Sequence, residues 1–296
     1  MMKYFNLYLM CWLLFSGIAT AQNTDAQIAS VLATAHQQKS EQPLRDFYEK
    51  NEKQLSDYWK AYLLYRKSSL LGTYGSVKDE ALRLLGKADI EKAVQLLEKK
   101  TDKDAEDWVL LALCESYALN FVAPNANMYQ KAMKINDDLD EALSLDKANP
   151  RYFLVKGIQD MHTPEMYGGQ RKTESYFQQA IALFSKTSKD SPVSWGYEDT
   201  YQLLVSFYLK KGEKEKTKET KTQKSSQSKK SSTPNTQVHP QIYGQQTPET
   251  YNTLRYTQEG SVSRNIVENE LKGDISNFSN EEINAAIARY NAKNQG

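Results

Sequence analysis

The sequence predicts an all-α protein built from successive helical hairpins. Apolar residues recur at helical spacing between residues 25 and 215, small residues stand where paired helices would cross, and Pro or Gly separates the segments. The segments with helical spacing are Asp25–Gln38, Pro43–Leu55, Asp57–Leu71, Val77–Leu85, Asp89–Lys99, Ala105–Asn120, Asn125–Leu145, Tyr176–Phe184 and Asp199–Lys211. Together with a further helix that starts at Pro150, they predict three to four helix pairs.

The middle of the chain sets the register of this pattern. Asn149 and Pro150 separate two units, Gly157 lies in the next first helix, and Phe177 lies near the end of the second. A small residue at a crossing lets two helices approach to about 8–10 Å. The arrangement resembles the tetratricopeptide repeat, a unit of about 34 residues. That repeat places its two small residues twelve positions apart, whereas Gly157 and Thr173 are 16 apart (173 − 157 = 16).

The four extra residues enlarge the turn between these two helices. The turn contains Pro164, Met166, Tyr167, Gly168 and Gly169. Pro164 ends a helix, and the two glycines supply positions for positive φ. The turn resembles the Pro-x-Met-aromatic-Gly-Gly loop of a group of exported bacterial proteins built from these repeats. The resemblance implies protein binding and carries no catalytic residues. The extra length predicts a protruding loop over 163–169, which is the best candidate for a specific contact.

Trp195 is a further candidate partner contact and has two interpretations. It covers the loop or touches a ligand in one, and it packs against the repeat core in the other, which is favoured. In a solenoid of such repeats, the inner helices would line a concave surface able to take an extended peptide or a helix.

The first 21 residues have the composition of a signal peptide. Lys3 precedes an apolar run, Tyr4–Phe15, and small residues at 19 and 21 suit cleavage. The run is shorter than the ~20 residues of a spanning helix, so an uncleaved anchor is the less favoured alternative. We expect export, to a bacterial periplasm or the cell exterior. Cys114 is then the single cysteine of the mature chain, and buried packing is favoured over a reactive thiol.

Lysine dominates residues 210–230, with nine lysines against three glutamates. The repeat register places Thr217, Lys221 and Lys224 where small or apolar residues should dock a closing helix, so the pattern fails there. The sequence therefore predicts a solenoid over 22–219, a solvated Lys/Ser-rich linker over 220–240, and a polar tail over 241–296 with one or two short helices. Contact of the 210–230 run with anionic lipid is the less favoured alternative.

Catalytic, cofactor and metal motifs are absent from the sequence. His36, His162 and His239 lack zinc spacing, and His162 is expected at the surface. The acidic run at residues 137–141 lacks the glycine turn of a calcium loop and is expected to be a solvated helix face. A net charge of +1 argues against nucleic acid as the main ligand.

These observations favour a non-catalytic, exported interaction scaffold of the bacterial envelope that binds a protein or peptide and needs no cofactor. A transport-associated accessory component and a helical-toroid enzyme acting on polysaccharide remain alternatives. The enzyme would need two carboxylates about 5–10 Å apart, and Glu165 and the 137–141 cluster are the first to test. The sequence specifies neither the partner nor the oligomeric state.

Overall fold

The computed structural model describes residues 24–74, 79–122, 126–165, 168–187, 191 and 193–228, and the single positions 272, 285 and 289. The predicted signal peptide, the predicted tail apart from those three positions, and Met166 and Tyr167 lie outside the described residues. Within the described ranges all regular structure is helical and no strand occurs. The predicted all-α class is therefore confirmed.

Ten α-helices follow one another in the described ranges between residues 24 and 228. They are α1 (24–38), α2 (Gln42–Asn51), α3 (Asp57–Tyr74), α4 (Glu80–Glu98), α5 (Ala105–Ala118), α6 (Ala126–Leu145), α7 (Pro150–His162), α8 (Thr173–Phe184), α9 (Tyr197–Lys211) and α10 (Lys214–Ser228), with a 3₁₀ turn at Leu119–Phe121.

Successive helices from α3 onward pair as antiparallel hairpins. Between α3 and α4, the Ser68 hydroxyl donates to the Gly86 carbonyl at 2.7 Å. Lys67, which precedes Ser68, pairs at 3.1 Å with Asp89, which follows Gly86, so the two helices run in opposite directions. The same opposed order joins α7 to α8 and α9 to α10. Helices α5 and α6 contact each other across a short connection, as antiparallel neighbours do. Neighbouring hairpins then pack through α4 on α5 and through α8 on α9.

Helix α4 corrects one sequence prediction. The segments Val77–Leu85 and Asp89–Lys99 were expected to form two helices, but a single helix runs through Gly86. A Cβ at Gly86 would lie 3.3 Å from the Ser68 hydroxyl. The glycine therefore serves close packing of α4 on α3 rather than a chain break, and Ala81 lies exposed instead of at a crossing.

The crossing predicted for α7 and α8 is confirmed. A Cβ at Gly157 would come within 2.5 Å of Cε1 of Phe177, so only glycine admits the ring at this depth. Phe177 and Ala180 are fully buried. The Asn149-Pro150 break is also confirmed: the Asn149 side chain accepts hydrogen bonds from the first amides of α7, and proline takes a first-turn position that needs no donor.

Helix α10 was not expected from the repeat register. It docks on α9 through Thr217 and Thr220, which are 5% and 6% exposed. Each hydroxyl donates to the carbonyl four residues earlier, at 2.9 and 2.8 Å, which leaves the methyl groups to form a narrow apolar stripe. Lys224 pairs with Glu198 across the hairpin. The predicted boundary between residues 219 and 220 therefore falls inside a packed helix.

Candidate functional site

The turn between α7 and α8 gives its two glycines different roles. Gly168 is exposed, with φ +84°, and a Cβ there would meet no atom within 4 Å. Gly169 is buried, and a Cβ there would lie 2.0 Å from the Thr163 carbonyl oxygen. The predicted positive φ is therefore right for Gly168 and wrong for Gly169, which is required by close packing. The second left-handed residue of the turn is Gln170, with φ +61°.

The turn folds back on itself instead of extending freely. Pro164 is half-buried, while Glu165 and Gly168 face solvent. Three backbone hydrogen bonds close it: Gly168 N to Glu165 O at 2.9 Å, Gly169 N to Pro164 O at 3.2 Å, and Gln170 N to Asp160 O at 2.8 Å.

Asp160 of α7 fixes the far end of the turn. Its Oδ2 accepts from the Lys172 amide and from the Thr173 hydroxyl, each at 2.8 Å. Thr173, expected from the sequence to be the second small residue, is fully buried. One carboxylate thus holds the base of the turn, so the exposed part of the turn has a fixed position.

A cluster of cations surrounds the exposed part of the turn. Glu165 forms an ion pair with Lys211 of α9, and this partner, followed more weakly by Lys210 and Arg171, holds the pKa of the Glu165 carboxyl below its usual range. Three exposed cations therefore lie near the exposed Glu165 carboxylate, while the Asp160 carboxylate is bound at the base of the turn. We call Arg171, Lys210 and Lys211, together with the turn at 163–171, the loop surface.

His162, at the end of α7, is partly buried, which corrects its expected surface position. Desolvation, with a smaller contribution from Lys210, lowers its pKa to about 4. The imidazole is therefore neutral at physiological pH and adds no charge to the loop surface.

Trp195 lies in the core, 7% exposed. Its ring stacks on Tyr62 of α3 at a centroid distance of 5.1 Å, and its Nε1 donates to Tyr58 Oη at 2.8 Å. This burial removes Trp195 from the candidate partner contacts. Trp195 packs against the core, which was the favoured interpretation of the sequence.

A buried arginine near Trp195, not predicted from the sequence, joins α7 to α5 and to the segment before α9. Arg151 is 2% exposed. Its guanidinium donates to Glu106 Oε1 at 2.9 Å, to the Trp195 carbonyl at 2.9 Å and to the Val193 carbonyl at 2.6 Å. Burial raises the pKa of Glu106, and Arg151 opposes that rise. Only one feature of the sequence indicated this role: Arg151 is a charged residue directly after Pro150, which starts α7.

These contacts place the starts of α3, α5, α7 and α9 at one end of the molecule, so these four helices, called the central helices below, run parallel. Arg66 of α3 and Asp199 of α9 form a second link between the first and the last of them, with 3.2 Å between Nη1 and Oδ2. Both side chains are buried. The concave surface expected for a peptide is therefore filled, over these positions, by the chain's own side chains.

A second charged cluster lies between α5 and α6. Lys134 pairs with Glu115 and, at 3.1 Å, with Asp138, which is 6% exposed. Desolvation first, and then Asp138, raises the pKa of Glu115 to about 8. The acidic run at 137–141 is therefore not a wholly solvated face. In the described ranges no group of three or more His, Cys, Asp or Glu side chains is placed to hold a metal ion.

Cys114 is fully buried on α5, as expected, and burial raises the pKa of its thiol. None of the helices within the described ranges is both long and apolar enough to cross a bilayer.

Comparison of the chain with protein-family models, with curated proteins and with solved structures finds no match. The function is therefore inferred from the geometry of the chain itself.

Proposed function

We propose that the chain is a tetratricopeptide-like scaffold that binds a protein partner through the loop surface, in an exported compartment of a bacterium. Four antiparallel hairpins in series, α3–α4 to α9–α10, support the repeat architecture. Gly157 against Phe177 supports the register within one unit. The first 21 residues support export.

The single observation that carries the proposal is the built turn after α7. Its backbone bonds, the Asp160 anchor and the left-handed Gly168 fix an exposed shape that the fold of the hairpin does not itself require. Ordered loops on a rigid helical frame are common sites of recognition. Pro164, Gly168 and Gly169 form this shape, and Met166 and Tyr167 belong to the same turn in the sequence.

The charge of the loop surface indicates the chemistry of the partner. Arg171, Lys210 and Lys211 outnumber Glu165, and all four are exposed. Exposed charges guide encounter and select orientation more than they add affinity. We therefore propose a partner segment that carries acidic side chains around an apolar or aromatic contact.

Photo-cross-linking in an envelope extract tests this function. A photoreactive amino acid at Ser175, which is neutral, exposed and in the first turn of α8, should give one discrete cross-linked product. The matched control is Gln95, an exposed position near the end of α4. Equal products from both positions, or none from Ser175, would contradict the proposal.

A further inference from the structure

Helix α1 covers a face of α3 that the hairpin pairing leaves open. Every residue of α3 from Ala61 to Leu71 is buried, on all sides of the helix. In a series of hairpins, neighbours cover only part of such a helix. The additional cover includes α1, whose Ile28, Leu32 and Ala35 are 1%, 8% and 0% exposed and belong to the same core.

Two polar contacts set the direction of α1. At its start, Asp25 Oδ2 accepts from the Ser194 amide at 2.7 Å, just before α9. Near its end, His36 Nδ1 lies 2.8 Å from Tyr74 Oη, at the end of α3. Helix α1 therefore runs parallel to α3 and extends from the segment just before α9 to the end of α3. Its apolar residues enter the core between these two contacts, and this site along α3 is called the groove below.

We propose that α1 is an intramolecular occupant of a helix-binding groove, and that a partner helix of the same pattern displaces it. The inference rests on the proposed scaffold function and adds a second, regulated surface to it. The contacts of α1 define the pattern: an acidic residue in the first turn, then apolar residues three, seven and ten positions later, as in Asp25, Ile28, Leu32 and Ala35.

Several features make α1 exchangeable. It buries an acid and an imidazole, Asp25 at 6% and His36 at 5% exposure, and burying such polar groups costs free energy that their hydrogen bonds only partly return. Its apolar stripe is short: three of its residues are buried, one of them an alanine, and Val31 packs against the core while only partly buried. It joins α2 through residues 39–41 alone, where Lys39 adopts φ +52°, a conformation unfavourable for lysine. Elements that move are drawn from such weakly held parts.

The test uses the full chain and a fluorescent synthetic peptide of residues 24–38. The chain variant Ile28→Ala/Leu32→Ala weakens the internal competitor and leaves the groove intact. It should bind the peptide at least tenfold more tightly than the unchanged chain, with far-UV circular dichroism confirming that both are folded. Equal affinity for the two chains overturns the proposal.

A disulfide across the first contact gives an independent test. In Asp25→Cys/Ser194→Cys, oxidation ties α1 to the segment before α9, and reduction releases it. The oxidised chain should not bind the peptide, and the reduced chain should. Binding that ignores the redox state overturns the proposal, as does a doubling of mass on size exclusion that shows two copies exchanging α1.

The two proposals fail separately. If the Ser175 cross-link forms but neither variant binds the peptide, the scaffold function stands and the groove proposal falls. If the peptide binds as expected and no cross-link forms, the loop surface is not the partner site.

Discussion

Replacing Arg66 by methionine should destabilise the protein by about 3–4 kcal/mol. The Arg66 and Asp199 side chains are only 4% and 9% exposed, so methionine leaves a buried carboxylate without its cation. Breaking a buried pair in this way costs about 3–5 kcal/mol. Asp199 lies in the first turn of α9, where the helix dipole stabilises a carboxylate by about 0.3–1 kcal/mol. We therefore expect the loss of stability to lie in the lower part of the range of about 3–5 kcal/mol.

Urea unfolding followed by circular dichroism measures this loss. With a slope of about 2–3 kcal/mol per molar urea, the midpoint should fall by about 1–2 M while the slope stays unchanged. An unchanged slope would mean that the same surface is exposed on unfolding and that the effect lies in stability.

The double variant Arg66→Met/Asp199→Leu is the matched control. It removes both charges and should return stability to within about 1 kcal/mol of the original chain, because an apolar pair replaces a buried ion pair at little net loss. If Arg66→Met alone costs less than about 1 kcal/mol, as an exposed pair would, then α3 and α9 are not joined in a buried contact.

Three further changes test other parts of the fold. Gly157→Ala should cost about 1–3 kcal/mol because its Cβ would lie 2.5 Å from the Phe177 ring. Gly86→Ala should cost less, because its Cβ would lie 3.3 Å from the Ser68 hydroxyl and alanine favours a helix over glycine by about 1 kcal/mol. Equal changes in melting temperature would contradict this difference. Glu115→Gln should stabilise the chain by about 1–3 kcal/mol at pH 9 and little at pH 5. The pKa of Glu115 is about 8 in the folded chain and 4.5 for an ordinary glutamate, so the stability of the native chain falls as the pH rises between these values. If urea unfolding shows that Glu115→Gln stabilises the chain equally at both pH values, ionisation of Glu115 is not the cause. Thr217→Lys should undock α10 and lower the helical circular dichroism, while Thr217→Val should not; no difference between them would show that α10 is not held by packing.

The helical class and part of the register could be predicted because they depend on local sequence. Asn149 and Pro150 act within one turn, and Gly157 and Phe177 are brought together by a single hairpin. Their spacing is enough to predict the contact. The helix break predicted within α4 was wrong. From the sequence alone, a glycine that ends a helix cannot be distinguished from one, such as Gly86, that lets a neighbouring helix pack closely.

The links across the molecule could not be predicted. Arg66 and Asp199 are separated by 133 positions, and nothing local marks either as the partner of the other. Trp195 needs the contacts of Tyr62 and Arg151 before its burial is apparent. The docking of α10 depends on threonine methyl groups, which a pattern of apolar residues does not count.

Binding of a protein partner to the loop surface is tested most directly by the Ser175 cross-link combined with a charge change. Lys210→Glu reverses one exposed cation beside the turn, and Lys99→Glu makes the same change at the end of α4. We predict that Lys210→Glu reduces the cross-link several-fold and that Lys99→Glu leaves it unchanged. Equal yields in all three chains would contradict recognition through this surface.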